Sequence, residues 1–134
     1  MKKHGELSVP GAVVIVVDDD SAVRNSLKFS LEIEGFVVRT YASGADLLGG
    51  DDLPFCRCLV VDQKMAGMTG LDLIAKLRNR QVLAPAILIT SHPNAVLTER
   101  AARANIPIVE KPLLGNALMD RIRDACAPGG NAQA

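Results

Sequence analysis

Cys58-Leu59-Val60-Val61 runs without a polar interruption into Asp62, and Gln63-Lys64-Met65-Ala66-Gly67-Met68-Thr69-Gly70 follows. Four apolar residues, two of them β-branched, read as a short strand buried on both faces. The Met/Gly stretch behind it is then a strand-to-helix loop. Asp62 stands at the carboxyl end of that strand, where open α/β sheets collect their ligands. Alone, such an Asp is ordinarily a helix cap or a solvated loop residue, so its meaning depends on what the rest of the chain brings to the same edge.

The pattern repeats along the chain. Ala12 to Val17 is a β-branched first strand. Asp18-Asp19-Asp20-Ser21 ends it and offers N-cap chemistry for a helix to about Glu34, with Val23, Leu27 and Leu31 on one face and Gly35 as its C-terminal glycine. Phe36 to Thr40 is a second strand. Ser43 caps a short helix ended by Gly49-Gly50, and Asp51 to Phe55 is a surface loop. The strand ending at Asp62 is third. Thr69 caps a helix over about 70–80 with Leu71, Ile74 and Leu77 on one face. Pro85 to Ile89 is a fourth strand ending at Thr90-Ser91, and a polar helix over about 94–104 carries Leu97, Ala101 and Ala104. Ile106 to Val109 is a fifth strand ending at Glu110-Lys111-Pro112, and Leu114, Leu118, Ile122 and Ala125 mark a last helix. Five strands alternating with five helices call for a doubly wound α/β domain, a five-stranded parallel sheet with right-handed crossovers. Residues 1–11 are expected to be a flexible lead, 12–126 the domain, and 127–134 a disordered tail.

Charge and cysteine content narrow the function. Fifteen basic residues cancel fifteen acidic ones, so no strong field favours nucleic acid or an anionic membrane. The apolar run from Val9 to Val17 is broken by Pro10 and Gly11, which makes it neither a signal peptide nor a membrane span. Three cysteines without an export signal point to a reducing cytoplasm. Cys56 and Cys58 lack the further ligands of a zinc site and read as half-buried thiols at a strand start.

Four of the five strands end in polar groups: Asp18 and Asp19, Asp62, Thr90, and Lys111. A parallel sheet puts those ends on one edge, so three carboxylates, a hydroxyl and an ammonium share one cleft. Carboxylates packed together need raised pKa values or a cation, and an all-oxygen site suits Mg²⁺, which keeps several waters. A carboxylate beside Mg²⁺ and a lysine is placed to attack a phosphoryl group. The product would be an aspartyl phosphate, with Thr90 donating to a phosphoryl oxygen.

Taken jointly, Val17-Asp18-Asp19-Asp20, Asp62-x-x-Met65-x-x-Met68-x-Gly70, Ile89-Thr90-Ser91 and Glu110-Lys111-Pro112 resemble the receiver domain of two-component response regulators over roughly 12–125. Val-Arg-Asn-Ser-Leu and Val-Glu-Lys-Pro look closest to the FixJ-like branch of this CheY-like superfamily. The resemblance implies a flavodoxin-like (βα)5 fold with strand order 2-1-3-4-5. It implies Asp62 as phosphoacceptor and Thr90 as switch hydroxyl. Lys111 would be the phosphoryl-binding ammonium. Mg²⁺ would be held by Asp19, Asp62 and the backbone carbonyl of Lys64, with Asp18 acting partly through water. It further implies a cis Lys111-Pro112 bond, in contrast to the roughly one in twenty of X-Pro bonds in general. The implied partners are a histidine kinase or histidine phosphotransfer protein upstream and a protein target downstream, without direct contact to nucleic acid or membrane, as a monomer or a phosphorylation-dependent dimer. Only Pro128 to Ala134 follows the last helix, so the expectation is a stand-alone receiver signalling by protein binding, not a classical enzyme.

The chain departs from the family pattern in places. Ala66 stands where Pro is usual, so the loop lacks a fixed φ. Ile108 replaces the usual Tyr or Phe and has no ring to swing inward. Ala104-Asn105-Ile106-Pro107 replaces the usual Ala-Gly-Ala turn. Lys64 and His92 hold positions that modulate phosphoryl hydrolysis in the family. One alternative is a receiver-like interaction module independent of phosphorylation, favoured by Ile108 and Ala66 and opposed by the intact Asp18, Asp19, Asp62, Thr90 and Lys111. Asp18-x-Asp20 also looks like the nucleophile motif of haloacid-dehalogenase-type phosphatases, but Pro112-Leu113-Leu114-Gly115 follows where those enzymes carry an acidic pair.

Overall fold

Alternating strand and helix patterns build a three-layer arrangement in the computed structural model, which describes residues 11–50 and 53–127. The strands are β1 (Val13–Val17), β2 (Val37–Tyr41), β3 (Cys56–Asp62), β4 (Ala86–Thr90) and β5 (Ile108–Glu110). The helices are α1 (Ser21–Ile33), α2 (Gly44–Leu48), α3 (Gly70–Asn79), α4 (Ala95–Arg103) and α5 (Ala117–Cys126). Every strand pair is parallel and the order is β2-β1-β3-β4-β5, which bears out the doubly wound (βα)5 expectation.

Successive strand residues point to opposite faces, so each strand feeds two cores. On one face Ile15, Val17, Leu59, Val61 and Leu88 pack with Leu73, Ile74 and Leu77 of α3 and Leu97 and Ala101 of α4. On the other, Val14, Val16, Cys58, Val60, Ile87 and Ile89 meet Leu31 of α1 and Leu118, Ile122 and Cys126 of α5. Both are mainly aliphatic, with Phe36 in the second, and each fully buried Leu, Ile or Val contributes about 1.5–3 kcal/mol over its exposed state.

Capping fixes where most helices begin. Asp20 accepts from the backbone N–H groups of Ala22 and Val23, Ser43 from Asp46, Thr69 from Asp72, and Asn94 from Leu97. Gly35, at φ +97°, closes α1, with the Phe36 N–H donating to the Leu31 carbonyl at 3.1 Å, the Schellman arrangement.

Four expectations shift. β3 starts at Cys56, directly after a 3-10 turn over Leu53–Phe55 where a plain loop was expected. β5 spans Ile108–Glu110, so Ile106 is buried in the preceding turn and not in the strand. Ala104 lies exposed beyond the end of α4. α5 begins at Ala117: Leu114 is 78% exposed, and Gly115, at φ +71°, breaks the helical backbone between them. Residues 1–10 of the expected lead and 128–134 of the expected tail lie outside the described residues. Among the described residues no helix is long and apolar enough to cross a membrane.

Candidate functional site

Strand register assembles the site. The last β1–β3 pair is Val17 with Val61, so Asp18 stands beside Asp62. Asp62 pairs with Ile89, which sets Thr90 one step beyond it, and Thr90 pairs with Glu110, which sets Lys111 one step further. The Lys111 N–H donates to the Thr90 carbonyl at 2.9 Å, continuing the ladder past β5. Lys111-Pro112 is cis, as the resemblance implied.

Asp18, Asp62 and Thr90 are buried, whereas Asp19 is exposed at the mouth. One carboxylate oxygen from each of Asp18, Asp19 and Asp62 lies within 4.8 Å of the others. Lys111 Nζ stands 3.0 Å from Asp18 Oδ2 and 3.4 Å from Asp62 Oδ1. Asp18 Oδ1 accepts from the Asp20 N–H at 2.9 Å, while Oδ2 is fully buried with no hydrogen bond of adequate geometry despite its ion pair with Lys111.

Burial first, and then the Asp18 carboxylate, push Asp62 up to about 6; Lys111 pulls the other way without winning. Burial works against the charge on Lys111, yet Asp18 and Asp62 outweigh it and hold the ammonium above its ordinary value. Such a cluster, short of positive charge, with an unsatisfied buried oxygen, fits a small hard cation that takes a few oxygens and keeps its waters.

The sequence-predicted residues Asp18, Asp19, Asp62 and Lys111 converge, and Thr90 sits on the same edge. Thr90 Oγ1 accepts from the His92 N–H at 3.2 Å. Lys64 and His92, both exposed, line with Thr90 and Arg100 a cavity of about 710 Å³ between the loop after β3 and α4. Cys56, Cys58 and Cys126 are free thiols; Cys56 is half-buried as expected, but Cys58 is fully buried because its side chain faces the α1–α5 core, and burial pushes Cys56 up to about 12.

Two residues that shape the site escaped sequence reasoning. Arg24 Nη1 donates to the Asp18 carbonyl at 2.7 Å, tying α1 to the acidic loop; its place just one turn into a helix capped by Asp20 was the available signal. Gln63, whose N–H donates to the Ile89 carbonyl at 2.9 Å and whose Oε1 accepts from the Leu71 N–H at 2.9 Å, ties the residue after Asp62 to β4 and α3; it gave no signal, because a polar residue after a strand-ending Asp is ordinary loop composition.

A family model described as the response regulator receiver domain matches residues 14–123. The chain is 37% identical over 117 residues to the C4-dicarboxylate transport transcriptional regulatory protein DctR of Rhodobacter capsulatus, covering 85% of this chain and 59% of that protein. It is 36% identical over 112 residues to the transcriptional regulatory protein FixJ of Azorhizobium caulinodans, covering 82% and 53%. The chain thus spans between half and three-fifths of the length of these relatives. Among solved structures, the response regulator StyR superposes with a TM-score of 0.77 at 32% identity, covering 90% of this chain and 61% of that one. FixJ-N gives a TM-score of 0.73 at 29% identity, covering 89% of this chain and 95% of that one. The chain belongs to the family of response regulator receiver domains, signalling modules of two-component systems, and its similarities run along the FixJ-like branch.

Proposed function

We propose that this receiver, residues 12–126, takes a phosphoryl group onto Asp62 from a histidine kinase or histidine phosphotransfer protein and passes the signal on by binding another protein. The observation that carries the reading is the shared ammonium: Lys111 Nζ reaches both Asp18 and Asp62 at the edge where Thr90 also ends its strand. An Asp62 oxygen attacks phosphorus, the P–N bond to the donor imidazole breaks as the P–O bond forms, and the imidazole leaves.

Each residue has a task. Asp62, at about 6, is mostly carboxylate at neutral pH and so is nucleophilic. Lys111 meets phosphoryl oxygens as charge gathers on them, and the Thr90 hydroxyl donates to one once it turns from the His92 N–H. Asp18, Asp19, Asp62 and the Lys64 carbonyl would hold Mg²⁺. When bound, the ion supplies positive charge to the transferring oxygens.

Intact-mass spectrometry after incubation with acetyl phosphate, with and without Mg²⁺, tests this on wild type and Asp62→Asn. One Mg²⁺-dependent adduct, lost in the variant, is the expected result. No adduct in wild type would overturn the reading and leave the phosphorylation-independent interaction module in its place.

A further inference from the structure

Gln63 follows the phosphoacceptor and is bonded three ways. Its N–H donates to the Ile89 carbonyl of β4 at 2.9 Å, and its carbonyl accepts from the Gly70 N–H at 3.0 Å. Its side-chain Oε1 accepts from the Leu71 N–H at 2.9 Å. The first backbone donors of a helix lack intrahelical partners. In α3 Gln63 satisfies two of them and the Thr69 hydroxyl takes the next, from Asp72 at 3.2 Å.

The helix start is also pressed against the strand end. A Cβ on Gly70 would lie 2.6 Å from the Asp62 carbonyl oxygen and 3.0 Å from Gln63 Cα. Residue 63 therefore pins both ends of the loop from Lys64 to Thr69. Inside that loop Gly67 adopts φ +85° and Ala66 supplies no fixed φ, so between Met65, buried in the core, and Met68, packed against it, the turn has no rigid residue of its own.

We infer that the Gln63 side chain is a positioning residue: by bonding Leu71 it sets the loop that presents the Lys64 carbonyl to the cation. The inference rests on the reading of Asp62 and Lys64 as Mg²⁺ ligands. Gln63 touches neither the cation nor the phosphoryl group. It acts on cation affinity through the loop, as outer partners of metal ligands do.

The test compares wild type with Gln63→Met, which keeps the length and loses the oxygen, and Gln63→Asn, which keeps the amide but falls one methylene short. Calorimetric Mg²⁺ titration, amide hydrogen exchange at Leu71, and the rate of adduct formation from acetyl phosphate at saturating Mg²⁺ are the readouts. Both variants should expose the Leu71 amide to faster exchange and weaken Mg²⁺ binding by about tenfold, while the rate recovers at saturating Mg²⁺. Gln63→Glu, which retains an acceptor for Leu71, should keep the amide protected and bind Mg²⁺ no more weakly than wild type. Unchanged Mg²⁺ affinity once Leu71 protection is lost overturns the positioning role and leaves the phosphorylation reading standing. So does unchanged Leu71 protection in both shortened or oxygen-free variants. A wild type that binds no Mg²⁺ removes both.

Discussion

Lys111 Nζ lies 3.0 Å from Asp18 Oδ2 and 3.4 Å from Asp62 Oδ1, so one ammonium from beyond β5 is shared by carboxylates ending β1 and β3. The two aspartates are in register neighbours across the sheet centre, and without a cation between them they would repel. The lysine is thus both part of the fold's electrostatic balance and a group free to turn to an incoming anion.

Lys111→Met should expose both roles. Its ammonium is held above the ordinary value of 10.5, so its contribution is complete below pH 10.5 and fades only as pH climbs past the folded value. With chelator at pH 7.5, removing it leaves the fully buried Asp18 unpaired and should lower stability by about 1–3 kcal/mol, or roughly 3–10 °C in Tm. Thermal unfolding with and without Mg²⁺ checks this: the ion should restore part of the loss, while acetyl phosphate labelling falls by at least about tenfold.

Asp62→Asn should stabilise the metal-free protein at neutral pH. The folded pKa of about 6 lies above the ordinary 3.8. The carboxyl therefore favours the fold fully below 3.8 and loses that contribution as pH rises through 6, so the ionised group weighs against folding at pH 7. Two units correspond to about 3 kcal/mol, which solvent at the cleft mouth trims to about 1–2. Urea unfolding of both proteins at pH 4 and 7.5, in chelator, should show a gap that opens only at the higher pH.

How far the fold was legible follows from what fixes each element. Strands ending in Asp18, Asp62 and Thr90 and caps in the Asp18–Ser21 run and at Ser43 and Thr69 are local signals, and they placed the elements and the site edge together. The ends of α1, α3 and α4 each fall one residue before the expected position. Gln81 and Asn105 take positive φ at 68° and 59° to end α3 and α4, a conformation that composition does not announce for Gln. At α5 the apolar Leu114 extended the periodicity across a backbone break at Gly115. The bonds of Arg24 to the Asp18 carbonyl and of the Gln63 side chain to the Leu71 N–H each join two different elements, and no periodicity records such a bond.

Gly70→Ala should damage fold and site together. The added methyl meets the Asp62 carbonyl oxygen at 2.6 Å and Leu88 Cδ1 at 2.7 Å; the Leu88 tip can shift, but the carbonyl belongs to the strand end. Overpacking there should lower stability by about 1–3 kcal/mol, measured as a shift in the urea midpoint at unchanged slope. It should also slow labelling beyond what Asp62's chemistry alone requires, because α3 must move off the residue that reacts. A fully stable, fully active variant would show that α3 slides freely on β3.

Removing only the Thr90 hydroxyl should separate phosphorylation from its readout. Thr90 Oγ1 now accepts from the His92 N–H at 3.2 Å, and Ile108, half-buried at the start of β5, packs against the α3–α4 side of the core. With no ring at residue 108 to move, a change on phosphorylation should pass through the turn from Ser91 to Asn94, which Thr90 Oγ1 holds through the His92 N–H. In Thr90→Val, labelling should fall only about three- to tenfold. Hydrogen exchange across residues 91–97 should then no longer change on phosphorylation, whereas in wild type it should.

Lys64 and His92 should govern how long the phosphoryl group stays. Both are exposed and border the cavity beside Thr90, two residues past Asp62 and Thr90, next to where a water would have to reach a phosphoryl group on Asp62. Long side chains there exclude that water, so replacing both with alanine should speed loss of the adduct by about three- to tenfold, followed by mass spectrometry after the donor is removed. Slower loss would mean that the pair orients the water and does not exclude it. An unchanged rate would assign the lifetime to the acidic cluster and Lys111 alone, since these are the remaining charged groups around Asp62.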